Sequence, residues 1–385
     1  MEKTGRSYDQ GLPVHRNSRE LPRRYSMTSW KQIEQTVQQA VERGDIPSAA
    51  IGIGSMNRVY VQSAFGNTSI TEQGRPVDTH TLYDMASLTK VMATSMVAFY
   101  MIENGMLRLN DRIGDFMAAP VYKKDVTIRQ LMTHTGGFQA DFKLEPLIRR
   151  PEEAAACILR RPLFCPPGKR VVYSCMGYIV LGRILESISG KGLDQMAREW
   201  VFEPLGMTQT GYRPFTELHA ALDAGAQENI AWTELDPVSK RYLAGVVHDE
   251  NARTLQGVSG NAGVFSTLED MMKMGRMLAR GGDGYLSRAM LKAATQNYTP
   301  GMEENRGLGF QLWDSNSFFG DLMGPESFGH NGYTGTSLAV DPQNGLYVVL
   351  LTNRVHPSRK NDTIFRLRHL VHNMAAAAYT SGGKK

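Results

Sequence analysis

Cysteine is scarce in this sequence: its 385 residues include only Cys157, Cys165 and Cys175. An odd count with no C-x-x-C pair argues against a disulfide framework and against a zinc site, and fits free thiols in a reducing compartment. Charge of one sign is scarce as well. The 43 lysines and arginines against 38 acidic residues leave a net charge of +5, scattered rather than gathered in one run. That distribution does not make a nucleic-acid patch. Long apolar runs are missing: the most apolar stretch, near 91–102, is too short to span a bilayer and contains Thr94 and Ser95. The polar N-terminus carries Arg6, Arg16, Arg19, Arg23 and Arg24 with no apolar stretch of the signal type behind them. The chain therefore reads as soluble and cytoplasmic, with no nucleic-acid or membrane partner. With 42% hydrophobic and 21% charged residues it has the means to bury a sizeable core. Its length suits two or three domains, or one large domain with an insertion.

Hydrophobic spacing organises the chain. Residues 1–28 read as an irregular leader. Ile33, Val37, Ala40 and Val41 recur at helical spacing after Trp30, and Gly44 stops that helix. Two strand-like runs follow, 49–53 and 58–65, around a Ser-Met-Asn turn. A helix is expected over 87–103, closed by Asn104-Gly105. The middle is mostly helix and loop. Tyr178, Leu181, Ile184, Leu185 and Ile188 form one helical stripe closed by Gly190, and a further helix over 269–278 has Ser266 or Thr267 as its N-cap. Strand patterns return at 309–313, 336–340 and 346–352, before a last helix over 363–379. This order predicts an α+β protein. Residues 29–106 and 281–385 build an antiparallel sheet flanked by helices, and 107–280 form an inserted, mostly helical lobe, with a ligand cleft between them.

Three stretches carry chemistry. Ser87-Leu88-Thr89-Lys90 places a serine and a lysine on one helix face, one turn apart. A desolvated lysine there can activate an otherwise unreactive hydroxyl, and the helix start favours developing negative charge. A second S-x-x-K, Ser381 to Lys384, lies in a Gly-rich tail where no rigid site can form. Tyr173-Ser174-Cys175, reached through Pro166-Pro167-Gly168, offers a tyrosine able to act as general acid or base. Gly329-His330-Asn331-Gly332-Tyr333-Thr334-Gly335 leads into a strand, where an exposed backbone N–H could serve as half of an oxyanion hole. Each pattern alone is ordinary: a solvated helix start, a packing tyrosine, a Gly-rich turn.

Taken in order, the three resemble the serine hydrolases of the class C β-lactamase and penicillin-binding protein-like family, which includes DD-peptidases, D-aminopeptidases and esterases. The family pattern is S-x-x-K, Y-x-N, then K-T-G or H-x-G. Leu131-Met132-Thr133-His134-Thr135-Gly136-Gly137, Phe202-Glu203-Pro204-Leu205-Gly206-Met207 and Gly260-Asn261-Ala262-Gly263-Val264-Phe265-Ser266-Thr267 also resemble family stretches. The resemblance spans about 30–379. It implies Ser87 as nucleophile, Lys90 and Tyr173 sharing proton transfer with the base left open between them, and the backbone N–H groups of Ser87 and Tyr333 as the oxyanion hole. Cys175, His330 and Gly332 would line the substrate pocket. His134-Thr135-Gly136, which precedes the tyrosine and is followed by no strand pattern, is taken as a structural copy of the third motif. The implied activity is acyl-enzyme hydrolysis of a small ester, amide or peptide, without cofactor or metal. Two other readings share the scaffold: a penicillin- or muropeptide-binding module that acylates without turnover, and an acyltransferase. Two departures stand out. Cys175 takes the place of an asparagine, and a thiol is a weak donor. His330 takes the place of a lysine, losing a permanent charge. Both weaken the case for β-lactam turnover. No base is expected beside Cys175 to make it a nucleophile in its own right.

Overall fold

The computed structural model describes residues 29–381. The expected leader and all but the first residue of the tail S-x-x-K lie outside them. In chain order the elements that build the site are α1 (Trp30–Glu42), β1 (Ser48–Ser55), β2 (Val59–Gly66), β3 (Tyr83–Asp84), α2 (Ser95–Glu103), α3 (Cys175–Ser189), β4 (Gly211–Tyr212), β5 (Val264–Ser266), α4 (Leu268–Ala279), β6 (Gln311–Leu312), β7 (Phe328–Asn331), β8 (Ser337–Asp341), β9 (Leu346–Thr352) and α5 (Thr363–Ser381). The main sheet is antiparallel in the order β2-β1-β9-β8-β7-β6, so both ends of the chain contribute to it. A small sheet, β3-β5-β4, joins the residues just before Ser87 to the middle of the chain.

Strand β9 shows why the sheet is covered on both faces. Its side chains alternate with the period of two that a strand imposes. Leu346, Val348 and Leu350 pack with Ile33, Val37, Ile51 and Val371 under α1 and α5. Tyr347, Val349 and Leu351 join the larger core on the other side, with Met271, Met272 and Met274 of α4. A strand apolar at every position is what a sheet between two helical layers requires. Gly52 of β1 lets α4 approach closely, since a Cβ there would stand 2.5 Å from Met272 Sδ. Leu350 is fully buried, so Leu350→Ala is expected to cost about 2–5 kcal/mol through lost burial and the cavity left behind. Denaturant unfolding at an unchanged m-value checks this.

Side-chain caps set several boundaries. Ser29 and Gln32 form a capping box at α1, Ser174 caps α3, and Thr267 caps α4. The helix expected over 87–103 opens on a turn at Ser87, passes through a π turn at Lys90–Thr94 and continues as α2. Single π turns are frequent at functional sites. Helix α4 packs against β1, β8 and β9, whereas the expected boundary at 280 assigns it to the inserted lobe. This helix thus covers the sheet. His330 lies within β7 rather than in the turn after it. Among the described residues no helix is long and apolar enough to cross a membrane.

Candidate active site

The serine turn is built from both sheets. Met85 donates its N–H to Val264 O at 2.9 Å, fixing the chain as it leaves β3. Ala86 then takes φ +45°, a left-handed conformation unfavourable for a residue with a side chain. Its N–H is held by Asp84 Oδ1 at 2.8 Å, and the other carboxylate oxygen accepts the His248 N–H at 2.6 Å. Asp84 is buried, and that burial pushes its carboxyl above the usual range. The next residue is Ser87, half-buried. From the other side, Thr334 Oγ1 donates to Asp84 O at 2.7 Å and Thr336 Oγ1 to Met85 O at 3.2 Å. The turn after β7 is thereby fastened onto the serine turn.

Lys90 lies one turn beyond Ser87, with no solvent exposure. Its ammonium donates to Ser87 Oγ at 2.9 Å, Asn261 O at 3.0 Å and Cys175 Sγ at 3.6 Å. Three N–H groups thus meet three acceptors, the full capacity of a charged lysine. Burial works against that charge, while the Cys175 thiol and then the Tyr173 phenol work for it; the net effect holds the lysine above its ordinary range.

Tyr173 stands two residues before the first residue of α3. The Ser174 N–H donates to His134 Nδ1 at 3.0 Å, and Ser174 Oγ donates to Gln139 O at 2.7 Å while accepting the Gly177 N–H at 3.0 Å. His134, taken from sequence as a structural copy, therefore fixes the tyrosine loop, and its ring lies 4.5 Å from that of Tyr173. Lys90 Nζ lies 5.0 Å from the Tyr173 ring centroid, and the His330 ring 5.8 Å from it. His330 is buried, with Nδ1 2.8 Å from Asn331 O. Burial, reinforced by the cations Arg306 and Lys90, holds His330 well below its ordinary range, and the same causes act on His134. Burial also raises the Cys175 thiol. Cys175 and His330, the two departures from the expected pattern, are thus uncharged near neutral pH.

Tyr333 is 49% exposed, and its carbonyl accepts from Arg354 Nε at 2.8 Å. Among the described residues neither the Ser87 N–H nor the Tyr333 N–H donates a hydrogen bond. Gly332 packs on the serine turn: a Cβ there would meet Thr336 Oγ1 and stand 2.5 Å from Met85 O. The structure thus gathers Lys90, Tyr173, Cys175 and His330 around one buried amine beside Ser87, and fastens Gly332 and Tyr333 to the same turn.

A family model named Beta-lactamase matches residues 33–373. The chain belongs to the beta-lactamase family. Among curated relatives of this family, a protein of Escherichia coli (strain K12), provisionally named D-alanyl-D-alanine carboxypeptidase, is 30% identical, over 89% of this chain and 87% of the relative. Among solved structures, the octameric penicillin-binding protein homologue from Pyrococcus abyssi has a TM-score of 0.69 at 21% identity, covering 88% of this chain and 77% of that one. EstCE1, a hydrolase with promiscuous acyltransferase activity, also has a TM-score of 0.69, at 23% identity over 88% of this chain and 98% of its own. These likenesses show the expected α+β architecture of a beta-lactamase-family protein.

Several residues around the site escaped the sequence reading. Asp84 and His248 brace the serine turn, and Arg306 lies with its Cζ 5.2 Å from the Tyr173 ring centroid. Asn261 contributes a backbone carbonyl. Its motif was legible, but a main-chain role leaves no trace in residue type.

Proposed function

We propose that this beta-lactamase-family chain is a serine hydrolase that forms an acyl-enzyme on Ser87 and acts on uncharged ester or amide substrates. The observation that carries this reading is the fully buried Lys90 amine 2.9 Å from Ser87 Oγ. All three Lys90 N–H groups have acceptors, which favours Tyr173 over Lys90 as the base. Tyr173, acting as the phenolate, takes the proton of Ser87 Oγ as that oxygen attacks the substrate carbonyl. The oxyanion is held by the N–H groups of Ser87 and Tyr333, and Lys90 stabilises the charge around both oxygens. When the carbonyl–leaving-group bond breaks, the proton passes from Tyr173 to the leaving group. Water then attacks the acyl-Ser87 ester, giving up its proton to Tyr173, and Ser87 recovers that proton as the acid leaves. The test is intact mass after mixing with a fluorophosphonate: one adduct, on the peptide containing Ser87, is expected. An adduct elsewhere, or none, counts against the reading.

The substrate class follows from the pocket's charge. His330 and Cys175 are neutral, and neither offers a cation to a carboxylate beside the scissile bond. A substrate that carries one would leave it poorly paired. A neutral p-nitrophenyl ester is therefore expected to exceed a p-nitrophenyl ester of similar size that carries a carboxylate beside the scissile bond in kcat/KM, on the order of 100-fold. Comparable values would overturn the substrate assignment while leaving the acyl-enzyme untouched. The position of the lobe boundary before α4 belongs to the same reading, with Tyr173 reaching Ser87 from the helical side.

A further inference from the structure

Arg306 lies in the segment before β6, 133 residues beyond Tyr173 in the chain. It is 4% exposed. Its Nη2 pairs with Glu304, while Nε and Nη1 have no hydrogen-bond partner among the described residues. Burying a guanidinium with two unpartnered nitrogens is costly, and such a cost is not what a packing residue needs. What Arg306 does face is the Tyr173 ring. The same segment also holds the tyrosine loop from outside: Glu303 accepts from Arg170 Nε at 2.6 Å and from the Val171 N–H at 2.9 Å. Glu303 thus fixes the backbone leading to Tyr173, and Arg306 lies against its side chain.

We infer that Arg306 is a positioning residue for the reaction, holding the Tyr173 ring toward Ser87 and supplying positive charge against its face. The inference rests on the reading of Tyr173 as the base. A cation over an aromatic face favours negative charge on that ring. The groups facing Tyr173 are Lys90 from the π turn, His134 from the loop after Ile128–Met132, His330 from β7, and Arg306; Cys175 of α3 reaches this group through Lys90, and Glu304 through Arg306. Tyr178 of α3 lies one ring further, 5.2 Å from His134. Cys175, His134, His330 and Tyr178 are uncharged near neutral pH, because burial holds the two imidazoles low and the thiol and the Tyr178 phenol high. Lys90 and Arg306 are then the two positive charges on the ring, and Glu304 tempers the second.

The experiment is the pH profile of kcat/KM for a neutral p-nitrophenyl ester. Arg306→Met is expected to lower kcat about 10-fold or more, with KM changed less, and to move the acid limb upward by about one pH unit. Arg306→Lys restores part of both. Glu304→Gln is on a partly exposed side chain and keeps the fold. It removes a negative charge next to the guanidinium, and so moves the acid limb the opposite way, downward. Opposite movements in the Met and Gln variants support the role. A fall in activity with an unmoved limb, or wild-type kinetics in Arg306→Met, overturns it. If Arg306→Met does not fold, Glu304→Gln decides, and an unmoved or rising limb overturns the inference. Tyr173→Phe separates the two levels. If it keeps full activity, the reading of Tyr173 as base fails; if it is inactive while the Arg306 and Glu304 variants behave as wild type, only the role of Arg306 fails.

Discussion

Ser87→Ala is expected to lower kcat for ester hydrolysis about 10,000-fold or more and to abolish fluorophosphonate labelling. The hydroxyl is the atom on which the proposed covalent intermediate forms, and nothing nearby can replace it. Cys175 shares Lys90 with Ser87, but burial keeps its thiol protonated. Stability should hardly change, because Ser87 is half-buried and its side chain accepts a single bond, from Lys90. Removing it frees one of three Lys90 donors and leaves two satisfied. Activity loss with an unchanged melting temperature is therefore the expected pair of results. Residual labelling of the alanine variant at the wild-type rate would mean that another nucleophile carries the chemistry. Lys90→Met should be nearly as inactive, yet less stable, since it strands the buried Asn261 carbonyl without its donor.

Gly332→Ala is expected to cost about 100-fold in kcat with the fold retained. The added methyl would stand 2.5 Å from Met85 O and against Thr336 Oγ1, so backbone must give way on one side. The carbonyl it meets belongs to the turn that presents Ser87, and the residue that follows presents the Tyr333 N–H. A shift of either one separates the two proposed oxyanion donors. Loss of one such donor costs about 100- to 1,000-fold, and a misplacement of about 1 Å can cost about 100-fold. Steady-state kinetics with the p-nitrophenyl ester, together with thermal unfolding, check this. Near-wild-type kcat would show that Tyr333 contributes no donor to the reaction.

Much of this protein is written locally. Ser29, Ser174 and Thr267 cap the helices that follow them because an N-cap needs only a short side-chain acceptor and the next turn's N–H groups. The unbroken apolar run of β9 announces a strand covered on both faces. The serine–lysine pair is legible because helical geometry alone brings residues three apart together. Strand β7 was harder to see: its four residues, Phe-Gly-His-Asn, have too little apolar pattern to read as a strand, and pairing with β8 makes them one. Helix α4 was legible as a helix but not as a cover for the sheet, since its partners β1, β8 and β9 lie far away in the chain.

The sequence by itself determined the α+β class, the order of the three motifs and the identity of the groups they bring to the site. Only the tertiary structure decided their electrical state and their supports. His330 is neutral because packing buries it beside Arg306 and Lys90, and Asp84 braces the serine turn by accepting the N–H of Ala86 within that turn and the N–H of His248 from a distant segment. A residue's type fixes what it can donate or accept. Whether it is charged, and whom it faces, depends on desolvation and on neighbours that long-range packing alone supplies.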